Sequence, residues 1–327
     1  MYPRLRENVW HIDPQQDTAV LITSREQFQV PTVPALAFLK MRTYCTGHHA
    51  IDTIAEKSGL SEDDVNAILS SLEPAGIVYS GDGSTDRVAV SESRERLERA
   101  VVLWSAELRI SYIGNQFAAG TLPKEAVIGW LLEMYHYIKD FPEAIAYGAQ
   151  RAQGALRDVL SHYAVQERGH ERYVLETLLR LGMAKAEVEA SIPLLSTRLV
   201  GFLMRELFEL EPSTVLLVAA MIEAQEYDDD QIEGFKAQLS RHYGISETAF
   251  DPYFEHQKVD LQMGHAELLA ANLDLIELTD HNVLDDITNK MHDLKHAFDL
   301  QGIEIKAYYT SLDGKYVPRQ PVTFDSI

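Results

Sequence analysis

Cysteine is almost missing from this chain: Cys45 stands alone among 327 residues. No disulfide can close within the chain and no thiolate metal cage can form, which fits a reducing cytoplasm. Long apolar runs are missing too. The most apolar stretch, residues 215–222, is far shorter than the ~20 residues a membrane helix needs, so no membrane role is expected. The N-terminal MYPRLRENVW lacks the apolar core of a secretion signal. Basic clusters are scarce, and the formal net charge is -21. Such a chain is repelled by phosphate backbones, so nucleic acid is not an expected partner. What remains is ordinary: 46% hydrophobic and 24% charged residues describe a globular protein with a sizeable core and more than one domain.

Two styles of sequence meet near residue 85. Before it the elements are short. Residues 8–13 (NVWHID) and 18–23 (TAVLIT) read as a β-hairpin. Helices are predicted over 33–43 and 49–57. A third opens at Ser61, whose spacing to Asp64 is that of a capping box, and carries Val65, Ile68, Leu69 and Leu72 on one stripe. Residues 77–79 look like a closing strand, which completes a winged-helix pattern. SGDGSTD (80–86) has the small polar composition of a linker. Beyond it helical periodicity dominates, with helices predicted at about 88–118, 123–139, 141–152, 154–181, 193–209, 213–227, 229–242, 247–272 and 277–306. The expected fold class is mainly α: an all-α bundle (91–310) behind a small α+β winged-helix domain (1–82), with a linker at 83–90 and a tail at 311–327.

The chemistry is carried by carboxylates and imidazoles. Glu167 and His170 form a Glu-x-x-His pair about one helical turn apart, so both side chains can reach one point. Carboxylate-bridged di-iron bundles use such pairs, although most isolated matches are charged surface. Glu223 directly follows the apolar run, where burial without a cation or hydrogen bonds would be costly. The bland alternative has it emerging into water at a helix end with Glu226. Further on, His256 and Asp260 are four apart and share a face. His265 lies nine positions past His256, roughly opposite on an ideal helix, unless a π-bulge near 263–264 turns it inward. This mixed nitrogen and oxygen set suits iron or manganese, with zinc also admissible. A rival grouping uses a second Glu-x-x-His, Glu133 and His136; the bland reading puts Tyr135, His136 and Tyr137 on an internal pocket or makes His136 a satisfied core residue. His292 and His296 are a further pair at helical spacing, beside Asp293 and Lys295 on what reads as a solvated face.

In NQFAAGTLPKEAVIGWLLEMYHYIKDFPEAI, QERGHERYVLETLLRLG, AAMIEAQEY and FEHQKVDLQMGHAEL, residues 95–306 resemble heme-oxygenase-like proteins, specifically iron-containing oxidases related to PqqC and to thiaminase-like (TenA) folds. The resemblance implies a non-heme, O2-activating iron oxidase holding Fe(II), expected as two ions, with O2 as co-substrate. Its ligands would be Glu167, His170, Glu223, His256 and Asp260. Where the family has its last histidine this chain has Met263, with His265 two residues on, so either a local irregularity recruits His265 or the second site is incomplete. Thiaminase chemistry is not expected, because the catalytic cysteine has no counterpart in the helical domain. Residues 5–82 resemble PqqD-like modules through NVWHIDPQQDTAVLI, VPALAFLKMRTY, HHAIDTIAEKSG and VNAILSSLEPAGIVYS. That implies recognition of a leader peptide by an added strand, hence a substrate that is a ribosomally made peptide or is carrier-delivered. The acidic SEDDVNAILSSLE argues against DNA as the partner. A metal-free PqqC-like oxidase and a non-enzymatic peptide-binding protein are the alternatives, and the chain is compatible with a homodimer.

Overall fold

In this computed structural model the described residues are 2–6, 9–12, 17–23, 27–79, 87–223, 228–311 and 318–327. They fall into two compact units, Met1–Val88 and Ala89–Ile327. Most of the expected linker segment, and Glu226, lie outside the described residues.

The first unit is built on alternation. Strand β1 is Arg4–Leu5, β2 is Val9–Ile12, β3 is Thr18–Ile22 and β4 is Gln27–Pro31. β2, β3 and β4 form an antiparallel meander in which Trp10 faces Leu21 and Leu21 faces Phe28. The sequence pattern shows β2 and β3 but not β4, whose QFQVP has only Phe28 and Val30 as strongly apolar residues and ends in proline. Helices α1 (Thr32–Arg42), α2 (Ile51–Ser58) and α3 (Glu62–Leu72) follow, and β5 (Val78–Tyr79) pairs back to β1. The capping box at the start of α3 forms as its spacing requires. Met41, Cys45, Ile54, Val65 and Leu69 pack into one small core.

The second unit is helical. In chain order it comprises α4 (Val90–Ser111), α5 (Ile113–Ala118), α6 (Lys124–Ala149), α7 (Gly154–Gln166), α8 (Glu171–Arg180), α9 (Lys185–Ala190), α10 (Leu195–Leu210), α11 (Thr214–Glu223), α12 (Asp229–Tyr243), α13 (Asp251–Met263), α14 (Leu268–Ala271) and α15 (His281–Thr310). α6 is the hub, packed by α7, α8, α10 and α15. At Gly129 it opens a notch for the Tyr309 ring of α15; a Cβ there would stand 2.2 Å from that ring. α11 is buried on every side, as its uniformly apolar sequence requires. Among the described residues no helix is long and apolar enough to cross a membrane.

Three expected helices differ in ways that matter. The helix expected to begin at Pro142 instead joins its predecessor: α6 runs through the proline. Burial of Phe141, Pro142, Ala144 and Ile145 offsets the ~3 kcal/mol an internal proline costs. The helix expected over 154–181 is two helices separated by a turn at 167–170, with Gly169 at φ 86. The helix expected over 247–272 breaks at Gly264, which takes φ 75 and ends α13. A short 3-10 turn, His265–Glu267, follows.

Candidate metal centre

These two breaks build the site. Glu167 and His170 sit at the ends of the turn between α7 and α8, not within a helix. Their pairing survives because the turn, like a helix, returns residues three apart to one side. Glu223 is the last residue of α11. His256 and Asp260 lie one turn apart on α13. His265 enters through the left-handed Gly264, which reverses the direction that a continuous helix would have given it. No π-bulge is involved: the irregularity is a helix end followed by a tighter turn.

All six residues come together. His265 Nδ1 lies 3.0 Å from Glu167 Oε1, 3.3 Å from Glu223 Oε2 and 3.7 Å from Asp260 Oδ1. His170 Nδ1 lies 3.4 Å from Glu167 Oε2, 3.2 Å from Asp260 Oδ1 and 3.1 Å from His256 Nε2. His256 Nε2 is also 3.3 Å from Asp260 Oδ2. Two donor groups result, Glu167–His170–His256 and Glu167–Asp260–His265, each with its ligand atoms within 4.8 Å of one another. Glu167 is common to both. Glu167, His170 and His265 are buried, and Glu223 does not emerge into water: its side chain is 17% exposed and its Oε2 is buried.

Proximity is not matched by hydrogen bonding. Glu167 Oε1, Glu223 Oε2, Asp260 Oδ1 and both ring nitrogens of His265 are buried without a hydrogen-bond partner. Atoms 3.0–3.7 Å apart that fail to align with one another converge on shared points instead. The side chains alone compensate one another electrostatically. Burial pushes the Glu167 carboxyl up, but His170 and His265 outweigh it and hold it down at about 2. Burial pushes the His170 and His265 imidazoles down, yet the facing carboxylates raise them to about 9 and about 10. Glu223 goes the other way, up to about 7, through burial and the nearby Glu167, despite His265.

The sequence reading missed Tyr163. Its hydroxyl donates to Glu223 Oε1, and its ring meets the His265 ring edge-on at 4.9 Å. The signal was its position four residues before Glu167. A cavity of about 280 Å³ adjoins the cluster, lined by Glu167, Glu223, His256, Asp260 and His265 and walled mainly by apolar side chains such as Ile113, Trp130, Met134 and Met221.

The rival residues go elsewhere. Glu133 is fully buried and accepts from the Leu194 N–H (3.0 Å), Thr197 Oγ1 (2.5 Å) and Tyr309 Oη (3.0 Å). It is satisfied without an ion and ties α6 to α10 and α15. His136 Nε2 bonds to Ser191 Oγ at 2.9 Å. Neither appears in a ligand group among the described residues. His292 and His296 pack against each other at 4.5 Å. Their expected solvated face is half wrong: His296 is exposed, but Lys295 is buried against Glu107 at 2.6 Å and Asp299 at 3.4 Å.

Comparison with known proteins bears on the fold. The profile of the TENA/THI-4/PQQC family matches residues 114–208, a span that includes Glu167 and His170 but stops before the other four candidates. A domain of unknown function with a heme oxygenase-like fold from Shewanella denitrificans OS217 superposes with a TM-score of 0.53 at 18% identity, covering 70% of this chain and 97% of that one. The TenA homologue protein from P. horikoshii OT3 gives 0.49 at 19% identity, covering 67% and 99%. No curated protein matches the sequence. Mostly helical, matched in its centre by that family profile, and similar in shape to the Shewanella domain, the chain has a heme-oxygenase-like fold with a small α+β unit at its N-terminus.

Proposed function

We propose that the helical unit is a non-heme, iron-dependent oxidase or oxygenase that uses O2. The observation that carries this reading is the set of four buried atoms, Glu167 Oε1, Glu223 Oε2, Asp260 Oδ1 and His265 Nδ1, from four segments of chain, that crowd together without hydrogen-bonding one another. Three carboxylates and three imidazoles are a donor set suited to Fe(II) or Mn(II). Glu167 would serve two ions at once; His170 and His256 would hold one, and Asp260 and His265 the other, with Glu223 beside it. These six residues would hold the iron, and bound iron would be what engages O2. Bound iron would supply the one-electron chemistry that side chains lack. The protein's own contribution is placement and exclusion. Tyr163 orients Glu223 through its hydroxyl and buttresses His265 with its ring. The walls of the adjoining cavity are mainly apolar, which would limit water beside the reacting atoms. The N-terminal unit, whose meander leaves β2 and β4 as edge strands, fits a PqqD-like role in adding a peptide strand.

Anaerobic Fe(II) titration tests the metal reading. Two irons per chain are expected, with a transient visible absorbance on admitting O2. Glu167→Ala should abolish uptake at both positions, whereas His265→Ala should leave one. A chain that takes up no iron, or a Glu167→Ala variant that binds it as the native chain does, would overturn the proposal.

A further inference from the structure

Two polar atoms beside the cluster are left unused by the metal reading. Tyr137 on α6 and Gln257 on α13 both line the adjoining cavity. The Tyr137 hydroxyl and the Gln257 side-chain oxygen are buried, and neither has a hydrogen-bond partner. An unsatisfied buried polar group costs ~1–3 kcal/mol, so a fold that keeps two of them in one cavity is built to receive their partners. Neither is among the six candidate ligands. Tyr137 is clamped: its ring stacks on Phe141 at 5.7 Å and meets Phe298 edge-on at 5.7 Å. Its hydroxyl also lies within electrostatic reach of Glu167 and Glu223. Gln257 follows His256 on α13.

The chemistry of the missing partner follows from the two atoms. Tyr137 has a proton to donate and Gln257 an oxygen that accepts. A carboxylate head would satisfy Tyr137 but leave the Gln257 oxygen orphaned, and it would meet four carboxylates, Glu167, Glu223, Asp260 and Asp299, against Lys258, His256 and His265 in the same lining. An ammonium head would satisfy Gln257 but have no lone pair for Tyr137. A neutral carboxamide has an acceptor on one atom and a donor on the next, and so answers both. The remaining wall is mainly apolar, with Ser111, Lys258 and Gln301 among its polar members, and about 280 Å³ is at the small end of ligand pockets.

We propose that Tyr137 and Gln257 hold the amide head of a small, uncharged substrate whose apolar body fills the cavity beside the metal cluster. This rests on the proposed function for the reaction, but the binding itself needs no ion. An amide head is also what a peptide-derived substrate would offer.

The test uses the full chain freed of metal by EDTA, titrated with 4-(4-fluorophenyl)butanamide and followed by ¹⁹F NMR. The matching butanoate and butylammonium compounds serve as comparisons. The amide should saturate, and the two charged probes should bind about tenfold more weakly or worse, as the loss of one buried hydrogen bond predicts. Tyr137→Phe, which keeps the stacked ring, should weaken the amide about tenfold and leave iron stoichiometry unchanged. Gln257→Leu should do the same; if it does not fold, Tyr137→Phe decides alone. Equal binding of all three probes, no binding of the amide, or full amide affinity in Tyr137→Phe would overturn the inference. Amide selectivity in a chain that takes up no iron would sink the metal reading and leave this one standing.

Discussion

His136 shows how a residue can carry the features of a ligand and serve the fold instead. Burial, and then the charge of Lys139, push its pKa down to about 4, while an unfolded histidine titrates near 6.5. Between those values the unfolded chain binds more protons than the native one, so this group's contribution to stability is present above about pH 6.5 and lost as pH falls toward 4, by at most about 3 kcal/mol. Urea midpoints at pH 7 and pH 4.5 check this: His136→Asn should lose less stability across that interval than the native chain. At this scale the sequence was a fair guide to which residues bear chemistry and a poor guide to which share a site. Glu133–His136 and Glu167–His170 have the same spacing. Glu133 lies inside α6, where Leu194, Thr197 and Tyr309 arrive to satisfy its carboxylate, and those partners lie far away in sequence.

Periodicity found the helices but not their ends. A glycine inside an apolar repeat costs only ~1 kcal/mol, so Gly169 and Gly264 hardly disturb the pattern, yet both take left-handed torsions and make the two turns that seat candidate ligands. Pro142 errs the opposite way, looking like a start and lying inside α6. The place of His265 was therefore undecidable from spacing: nine positions from His256 on an unbroken helix point away, and nine positions across a left-handed break point in. Gly264→Ala tests that break. A Cβ there would meet nothing within 4 Å, so the cost is the torsion alone, ~1–2 kcal/mol. The variant should fold, melt a few degrees lower, and bind one iron instead of two as α13 runs on and carries His265 away. Metal content and a melting curve on one preparation read both effects.

At the scale of the molecule, the candidate ligands and the core that supports them belong to the second unit. A chain beginning at Ala89 should therefore take up iron with the stoichiometry of the full chain, and Met1–Val88 should take up none; failure of the shortened but folded chain to bind would show that the site needs the first unit. Four of the six candidate ligands sit at helix ends, with Glu167 and His170 bounding a turn, Glu223 finishing α11 and His265 opening a 3-10 turn, while His256 and Asp260 stand on α13. Rods in a packed bundle slide only at the expense of their shared core, but turns adjust by a few degrees of torsion. Ions of differing radius could thus be gripped without disturbing the bundle, which leaves discrimination among them to the softness of the nitrogen and oxygen donors and to whichever metal the cell supplies.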